Sequence, residues 1–132
     1  MTVRMHDLVV PFAIRRTIVV VEESASVREL LEHALREAGY RVLVTRDPRE
    51  AFELARRIRI DALVCDLAIV EQRGHGLIGR LREMQPSLPV LYLADRGPAG
   101  EEALEDGSTL QTPFSLDELL EAVAAAIDHR TG

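Results

Sequence analysis

The sequence contains no lysine, and all 16 of its basic residues are arginine. This absence excludes every mechanism that depends on an ε-amine, such as a Schiff base, a P-loop lysine or a lysine general base. Tryptophan is absent too, and with two tyrosines and three phenylalanines the core must be built mainly from aliphatic side chains. The single cysteine, Cys65, excludes an internal disulfide and a cysteine-based zinc site.

Long hydrophobic runs and a clustered basic surface are also missing. No apolar run approaches the roughly 18 residues that cross a bilayer. Pro11 interrupts the short apolar stretch near the N-terminus, so that stretch does not have the layout of a signal peptide. We therefore expect a cytoplasmic protein with no membrane contact. The 22 acidic residues give a net charge of −6, which argues against direct nucleic-acid binding because that function needs a basic face.

The chain has the size and composition of one globular domain. Its 132 residues are 47% hydrophobic and 29% charged, which is ordinary for a soluble fold. Residues 1–16 show no clear period and are predicted to be a tail or an added element. We expect the domain itself to span 17–129, followed by a short C-terminal tail at 130–132.

From residue 17 onward, short apolar runs alternate with segments of helical periodicity. The continuous runs predict buried strands, at 18–21, 41–45, 62–65, 90–93 and 109–111. Apolar residues at helical spacing predict helices, at 27–38, 48–57, 77–84 and 116–127, with room for only a short one in 98–106. This alternation with short connections predicts an α/β fold whose parallel sheet carries helices on both faces.

Helix termini are marked at three places along the chain. Asp47 followed by Pro48 combines an N-cap with a proline at the first helical position. Ser115 and Glu118 form a capping box at the start of the last predicted helix. Gly39 stands where a helix end favours a left-handed residue.

In a parallel α/β sheet, ligands bind at the carboxyl ends of the strands, where the strand order reverses. The residues that follow the predicted strands there are Glu22, Glu23, Asp66, Ala94 and Thr112. If the first and third strands are neighbours, the three carboxylates converge and raise one another's pKa unless a cation compensates. Such hard oxygen ligands suit Mg²⁺, which takes one or two carboxylates and keeps several waters. Alternatively, the two glutamates are solvated strand-end residues with no joint role.

The order and spacing of several short motifs resemble the receiver domain of bacterial response regulators, over residues 17–128. The matching residues are Val21-Glu22-Glu23, Arg28, Asp61-Ala-Leu-Val-Cys-Asp66, Gly74, Pro89-Val90 and Pro113-Phe114 before a capped helix. The resemblance implies a flavodoxin-like, or CheY-like, (βα)5 fold with a doubly wound, five-stranded parallel sheet. In this chain the fourth helix region is shortened.

The resemblance also implies a function in two-component signal transduction. Asp66 would be the phosphoacceptor of a phosphorelay, and Glu22, Glu23 and Asp66 would hold Mg²⁺. The implied partners are a histidine kinase or phosphotransfer protein and a downstream target protein. The family's acid pair usually ends in aspartate, however, and the longer Glu23 is expected to weaken Mg²⁺ binding because this ion tolerates poor octahedral geometry badly.

Three positions that read out phosphorylation in this family carry other residues here. Ala94 stands where the family has threonine or serine, Thr112 where it has lysine, and Thr109 where it has an aromatic residue. A ligand shifts a conformational equilibrium only through differential contacts, so these replacements predict a degenerate switch. Arg96, and after it Arg73, are candidate substitutes for the missing positive charge. The alternative is that both are solvated arginines.

Three functions remain in competition. The first is a working but atypical receiver that is phosphorylated on Asp66. The second is a pseudo-receiver that acts as a phosphorylation-independent protein–protein interaction module. The third, a phosphatase-like enzyme on the same fold, is disfavoured because no second acid, oxyanion loop or glycine-rich cradle is evident, and we expect a non-enzymatic protein with no catalytic residues. A low-relief alanine cluster in the last helix predicts a homodimer or partner face, at Ala122, Ala124, Ala125 and Ala126.

Overall fold

The computed structural model describes residues 15–73, 76–95 and 108–131. Its elements in chain order are β1 (Thr17–Val21), α1 (Ala25–Glu37), β2 (Arg41–Thr45), α2 (Pro48–Arg57), β3 (Ala62–Asp66), α3 (Leu67–Arg73), α4 (Leu77–Met84), β4 (Val90–Ala94), β5 (Ser108–Gln111) and α5 (Leu116–Thr131). The predicted short helix at 98–106 and nearly all of the predicted N-terminal tail lie outside the described residues.

The five strands form one parallel sheet in the order β2-β1-β3-β4-β5. The predicted doubly wound, flavodoxin-like fold is therefore confirmed. Strand β1 lies beside β3, with Val21 opposite Cys65, which meets the condition for the carboxylates at their ends to approach one another. The order reverses between these two strands, so the carboxyl ends of β1 and β3 form the switch point of the sheet.

Two aliphatic cores cover the two faces of the sheet. In β1, Val19 and Val21 face the core beneath α2, α3 and α4, while Ile18 and Val20 face the core beneath α1 and α5. All four side chains are fully buried, as the continuous β-branched run predicts for a central strand. Cys65 is buried in the first of these cores.

The predicted helix termini are present. The Asp47 carboxylate accepts the N–H of Arg49 at 2.9 Å, and Pro48 opens α2. At the start of α5, Ser115 and Glu118 bond each other's backbone N–H groups at 2.9 and 3.0 Å, which completes the capping box. Gly39 has φ +99°, a left-handed conformation that glycine adopts without steric cost.

The segment between β3 and β4 differs from the prediction, because it holds two helices instead of one. Helix α3 begins at Leu67, directly after the last residue of β3, and only then does the predicted helix α4 follow. Leu67 and Ile69 are buried, so the short helix is held by two core side chains. Seven residues are too few to display a helical period in the sequence.

Candidate functional site

Asp66 is the last residue of β3, lies beside Leu93 of β4 and is half-buried. Its Oδ1 accepts a hydrogen bond from the N–H of Ala68 at 3.0 Å, and the N–H of Ile69 also bonds the carboxylate. These are the second and third residues of α3, so the Asp66 side chain serves as the N-cap of that helix. A single carboxylate thus ends a strand and starts a helix at the switch point.

The surroundings of Asp66 are predominantly acidic. Burial raises the pKa of its carboxyl group, the charges of Asp95 and Glu23 raise it further, and the N–H bonds from Ala68 and Ile69 partly offset both effects. Asp95 directly follows β4, so it stands at the same edge of the sheet. We refer to Glu22, Glu23, Asp66 and Asp95 together as the acid cluster.

Glu22 is the most buried member of the acid cluster, with 8% of its surface exposed. Its Oε2 accepts the N–H of Ser24 at 2.8 Å, which folds the side chain back onto its own loop. Burial raises the pKa of Glu22, and the charge of Asp66 adds to this rise against the lowering by Ser24 and Arg28. The charge of Asp66 thus acts on Glu22, and the two residues lie at the ends of neighbouring strands at one edge of the sheet.

Arg28 fixes the loop that carries both glutamates. Its Nη1 donates hydrogen bonds of 2.8 Å to the carbonyl oxygens of Glu22 and Glu23. In the sequence Arg28 stands out only as part of the resemblance, because the residue type does not show that its side chain bonds a backbone carbonyl. Arg28 therefore holds the backbone of Glu22 and Glu23 at the end of β1.

The side chain of Glu23 pairs with Arg73 of α3. Its Oε1 lies 3.8 Å from Nη2 of Arg73, the last residue of α3, and both side chains are at least half exposed. The same guanidinium nitrogen donates to the carbonyl oxygen of Arg46 at 3.3 Å. Of the two predicted charge substitutes, Arg73 thus reaches the acid cluster, whereas Arg96 lies outside the described residues.

The three replaced switch positions lie on β4 and β5. Ala94 ends β4, is buried and carries no side-chain donor. Its carbonyl oxygen accepts the N–H of Thr112 at 2.9 Å, and the Thr112 hydroxyl donates to Oδ1 of Asp95 at 3.1 Å. Thr109 is half-buried on β5 opposite Tyr92 of β4.

In this conformation the side chains of the acid cluster are paired with protein groups and are not placed to hold a Mg²⁺ ion. Glu22 and Asp66 each accept a backbone N–H, and Glu23 is paired with Arg73. Within residues 15–73, 76–95 and 108–131, no group of three or more histidine, cysteine, aspartate or glutamate side chains is placed to hold a metal. Asp95 is not among the predicted site residues, because the predicted strand ends at residue 93 whereas β4 extends to Ala94, which makes Asp95 the residue that directly follows the strand.

The alanine cluster of α5 is only partly open to solvent. Ala125 is exposed, whereas Ala122, Ala124 and Ala126 are half-buried, and Ala122 packs against the core beneath α1 and α5. None of the helices in the described part of the chain is long and apolar enough to cross a membrane.

A sequence profile of the response regulator receiver domain matches residues 18–124. The response regulator MprA of Mycolicibacterium vanbaalenii is 35% identical over 118 residues, covering 86% of this chain and 51% of that protein. The probable transcriptional regulatory protein TcrX of Mycobacterium tuberculosis is 31% identical over 125 residues, covering 88% of this chain and 51% of TcrX. The chain thus spans about half the length of these curated relatives.

Solved structures show the same architecture. A putative response regulator from Chloroflexus aurantiacus superposes with a TM-score of 0.77 at 30% identity, covering 87% of this chain and 99% of the other. The chemotaxis protein CheY4 of Vibrio cholerae gives 0.74 at 25% identity, covering 86% and 99%. Receiver domains typically bind Mg²⁺ at the phosphorylation site and generally signal without enzymatic activity, and response regulators interact with histidine kinases.

Proposed function

Because this chain belongs to the response regulator receiver family, we propose that it works in a two-component relay in the cytoplasm, with Asp66 as phosphoacceptor. The supporting observation is the position of Asp66, which is half-buried at the end of β3, at the switch point between β1 and β3. The phosphoryl donor is a histidine kinase or a phosphotransfer protein, and the output is the binding of a downstream protein. The domain has no catalytic turnover of its own in this proposal.

The nucleophile of the transfer step is the Asp66 carboxylate. One carboxylate oxygen attacks the phosphorus of a phosphohistidine, and the new O–P bond forms as the P–N bond breaks. The imidazole leaves with the bonding electrons and takes up a proton. The raised pKa of Asp66 makes its carboxylate a stronger base, whereas the negative charges of Glu23 and Asp95 oppose the approach of an anionic phosphoryl group.

Mg²⁺ contributes weakly in this proposal. Glu22, Glu23 and Asp66 are the residues that would hold the ion, whose chemistry is to neutralise phosphoryl oxygens. Glu23 is longer than the family's aspartate and is paired with Arg73. Binding of the ion therefore requires rearrangement of side chains that already have partners.

The readout of phosphorylation differs from that of the family. Ala94 has no hydroxyl to follow a phosphoryl oxygen, Thr112 has no charge, and Thr109 has no aromatic ring. A swing of a two-state equilibrium from 1:99 to 99:1 needs about 5.5 kcal/mol of differential binding, and these three side chains do not supply it. We therefore propose that the surface formed by β4, β5 and α5 stays in one state.

A second candidate is the pseudo-receiver, an interaction module that is never phosphorylated. The observation that favours it is the closed arrangement at the end of β4, where Thr112 is hydrogen-bonded to Asp95 and to the carbonyl of Ala94.

In both proposals α5 also offers a face for a homodimer or partner around the exposed Ala125. A change of sedimentation in Ala125→Arg is the corresponding test.

Acetyl phosphate with Mg²⁺, followed by intact mass measurement, separates the two candidates. The proposal requires an added mass of one phosphoryl group in the wild type and its loss in Asp66→Asn. Asp95→Asn is the matched control because it removes a neighbouring charge of the acid cluster and leaves the nucleophile in place. Absence of the adduct in the wild type would establish the pseudo-receiver, and turnover of a generic phosphoester would contradict both.

A further inference from the structure

We infer that Arg73 is a built-in counterion of the acid cluster that competes with Mg²⁺ for the Glu23 carboxylate. The structure places Nη2 of Arg73 3.8 Å from Oε1 of Glu23. This relationship joins the end of α3 to the loop after β1, two segments that are 50 residues apart in sequence. The inference concerns metal affinity and does not depend on phosphorylation of Asp66.

A second contact holds the guanidinium of Arg73 at this edge. Nη2 donates to the carbonyl oxygen of Arg46 at 3.3 Å, in the loop after β2. Arg73 therefore bridges the loops that follow β1 and β2 from a helix whose first turn is capped by Asp66. A side chain with two partners loses less freedom when it pairs with Glu23 than an unrestrained arginine would.

Arg28, a second cation at this edge, bonds the backbone of the loop after β1. Nη1 of Arg28 donates to two backbone carbonyl oxygens, those of Glu22 and Glu23. Within the described part of the chain, Arg73 is the arginine that contacts a side-chain carboxylate of the acid cluster. It thus provides positive charge at an edge where Glu22, Asp66 and Asp95 add further negative charge.

Mg²⁺ and the Arg73 guanidinium compete because each needs the Glu23 carboxylate in a different orientation. Mg²⁺ needs its oxygen ligands in near-ideal octahedral geometry and sheds water reluctantly. A guanidinium near the same carboxylate repels the incoming ion and favours a side-chain orientation directed at α3. Mg²⁺ can use Glu23 only after Arg73 has left it, so the pair lowers the metal affinity.

The test is a titration with Mg²⁺ alone, followed by amide chemical shifts of the loops after β1 and β3. Exposed ion pairs are weak, so we expect Arg73→Gln to bind Mg²⁺ about two- to fivefold more tightly than the wild type. Arg49→Gln is the matched control, because Arg49 pairs at 3.7 Å with Asp47 at the same edge of the sheet and its loss changes the net charge equally. The control should retain wild-type affinity.

A double-variant cycle assigns the effect to the Glu23 carboxylate. In a Glu23→Gln background, Arg73→Gln should no longer increase Mg²⁺ affinity. Equal affinities in Arg73→Gln and Arg49→Gln, or an undiminished gain in the Glu23→Gln background, would overturn the inference. Thermal unfolding of each variant establishes that the compared proteins are folded.

Discussion

The hydroxyl of Thr112 donates a hydrogen bond of 3.1 Å to Oδ1 of Asp95 and so links the end of β5 to the end of β4. The backbone N–H of Thr112 supports the same link through the carbonyl oxygen of Ala94 at 2.9 Å. A neutral hydroxyl thus stands where the family has an ammonium group. It fixes the position of Asp95 without neutralising the acid cluster.

Restoring the family residues at two positions should restore a switch. We expect Ala94→Thr combined with Thr112→Lys to bind beryllofluoride at least about tenfold more tightly than the wild type, because a hydrogen bond to a charged group is worth about 1.5–3 kcal/mol. Amide shifts on beryllofluoride binding should then spread into β4 and β5, whereas in the wild type they should stay near Asp66.

Gln111→Lys is the control for this pair of changes. It places the same charge one residue from Thr112, in β5. A comparable gain in Gln111→Lys would mean that general electrostatic attraction accounts for the tighter binding. The two family positions would then have no specific role.

The acid cluster predicts an unusual dependence of stability on pH. The pKa of Asp66 is raised in the folded state, so the folded protein binds this proton more tightly than the unfolded chain does. By linkage, stability falls as pH rises from the ordinary aspartate pKa through the raised one. Asp66→Asn should therefore be more stable than the wild type at neutral pH, and the difference should vanish below the ordinary aspartate pKa.

Urea denaturation at a series of pH values measures this difference. Asp47→Asn is the control, because Asp47 is also an N-cap at this edge but lies outside the acid cluster. If Asp66→Asn and Asp47→Asn had the same pH dependence, the raised pKa of Asp66 would not be the cause.

The capping role of Asp66 can be separated from its charge. Asparagine and alanine both remove the charge, but only asparagine can still accept the N–H groups of Ala68 and Ile69. We expect Asp66→Ala to be about 0.5–2 kcal/mol less stable than Asp66→Asn in urea denaturation. Hydrogen exchange of the Ala68 and Ile69 amides should accelerate in the alanine variant, and equal exchange in both variants would show that the cap does not hold α3.

Features encoded by adjacent residues could be predicted from the sequence. The β-branched run of β1, Asp47 with Pro48, and the Ser115–Glu118 box each combine a local pattern with a local physical effect. The strand ends follow from those assignments, so the sequence predicts Asp66 and Glu22 at one edge of the sheet, where the structure has the ends of β1 and β3. Periodicity and capping were sufficient for this much.

Features that depend on distant contacts could not be predicted in the same way. Helix α3 is too short to show a helical period, and its N-cap is Asp66, which the sequence marks as the candidate phosphoacceptor and not as a helix cap. The approach of Arg73 to Glu23 depends on the path of α3, because the two residues are far apart in sequence and neither has a distinctive neighbour. Thr112 was recognised as a departure from the family, but its bond to Asp95 depends on how the end of β5 meets the end of β4.

Arg28 should be the residue on which the geometry of the acid cluster depends most. Its Nη1 holds the carbonyl oxygens of Glu22 and Glu23 at 2.8 Å each, and hydrogen bonds that involve a charged group are worth about 1.5–3 kcal/mol where they are shielded from water. We expect Arg28→Gln to lose about 1–2 kcal/mol of stability, because one of these bonds is partly buried and the other is exposed. Amide exchange at Ser24 should also be faster in this variant. Arg36→Gln is the control, since Arg36 lies on the same helix and donates to the carbonyl of Val42, away from the site.

The rate of phosphorylation by acetyl phosphate separates a positioning role of Arg28 from a purely structural one. A slower rate in Arg28→Gln, with an unchanged rate in Arg36→Gln, would show that Arg28 positions the acid cluster as well as stabilising the fold. Equal rates in both variants would limit Arg28 to a structural role.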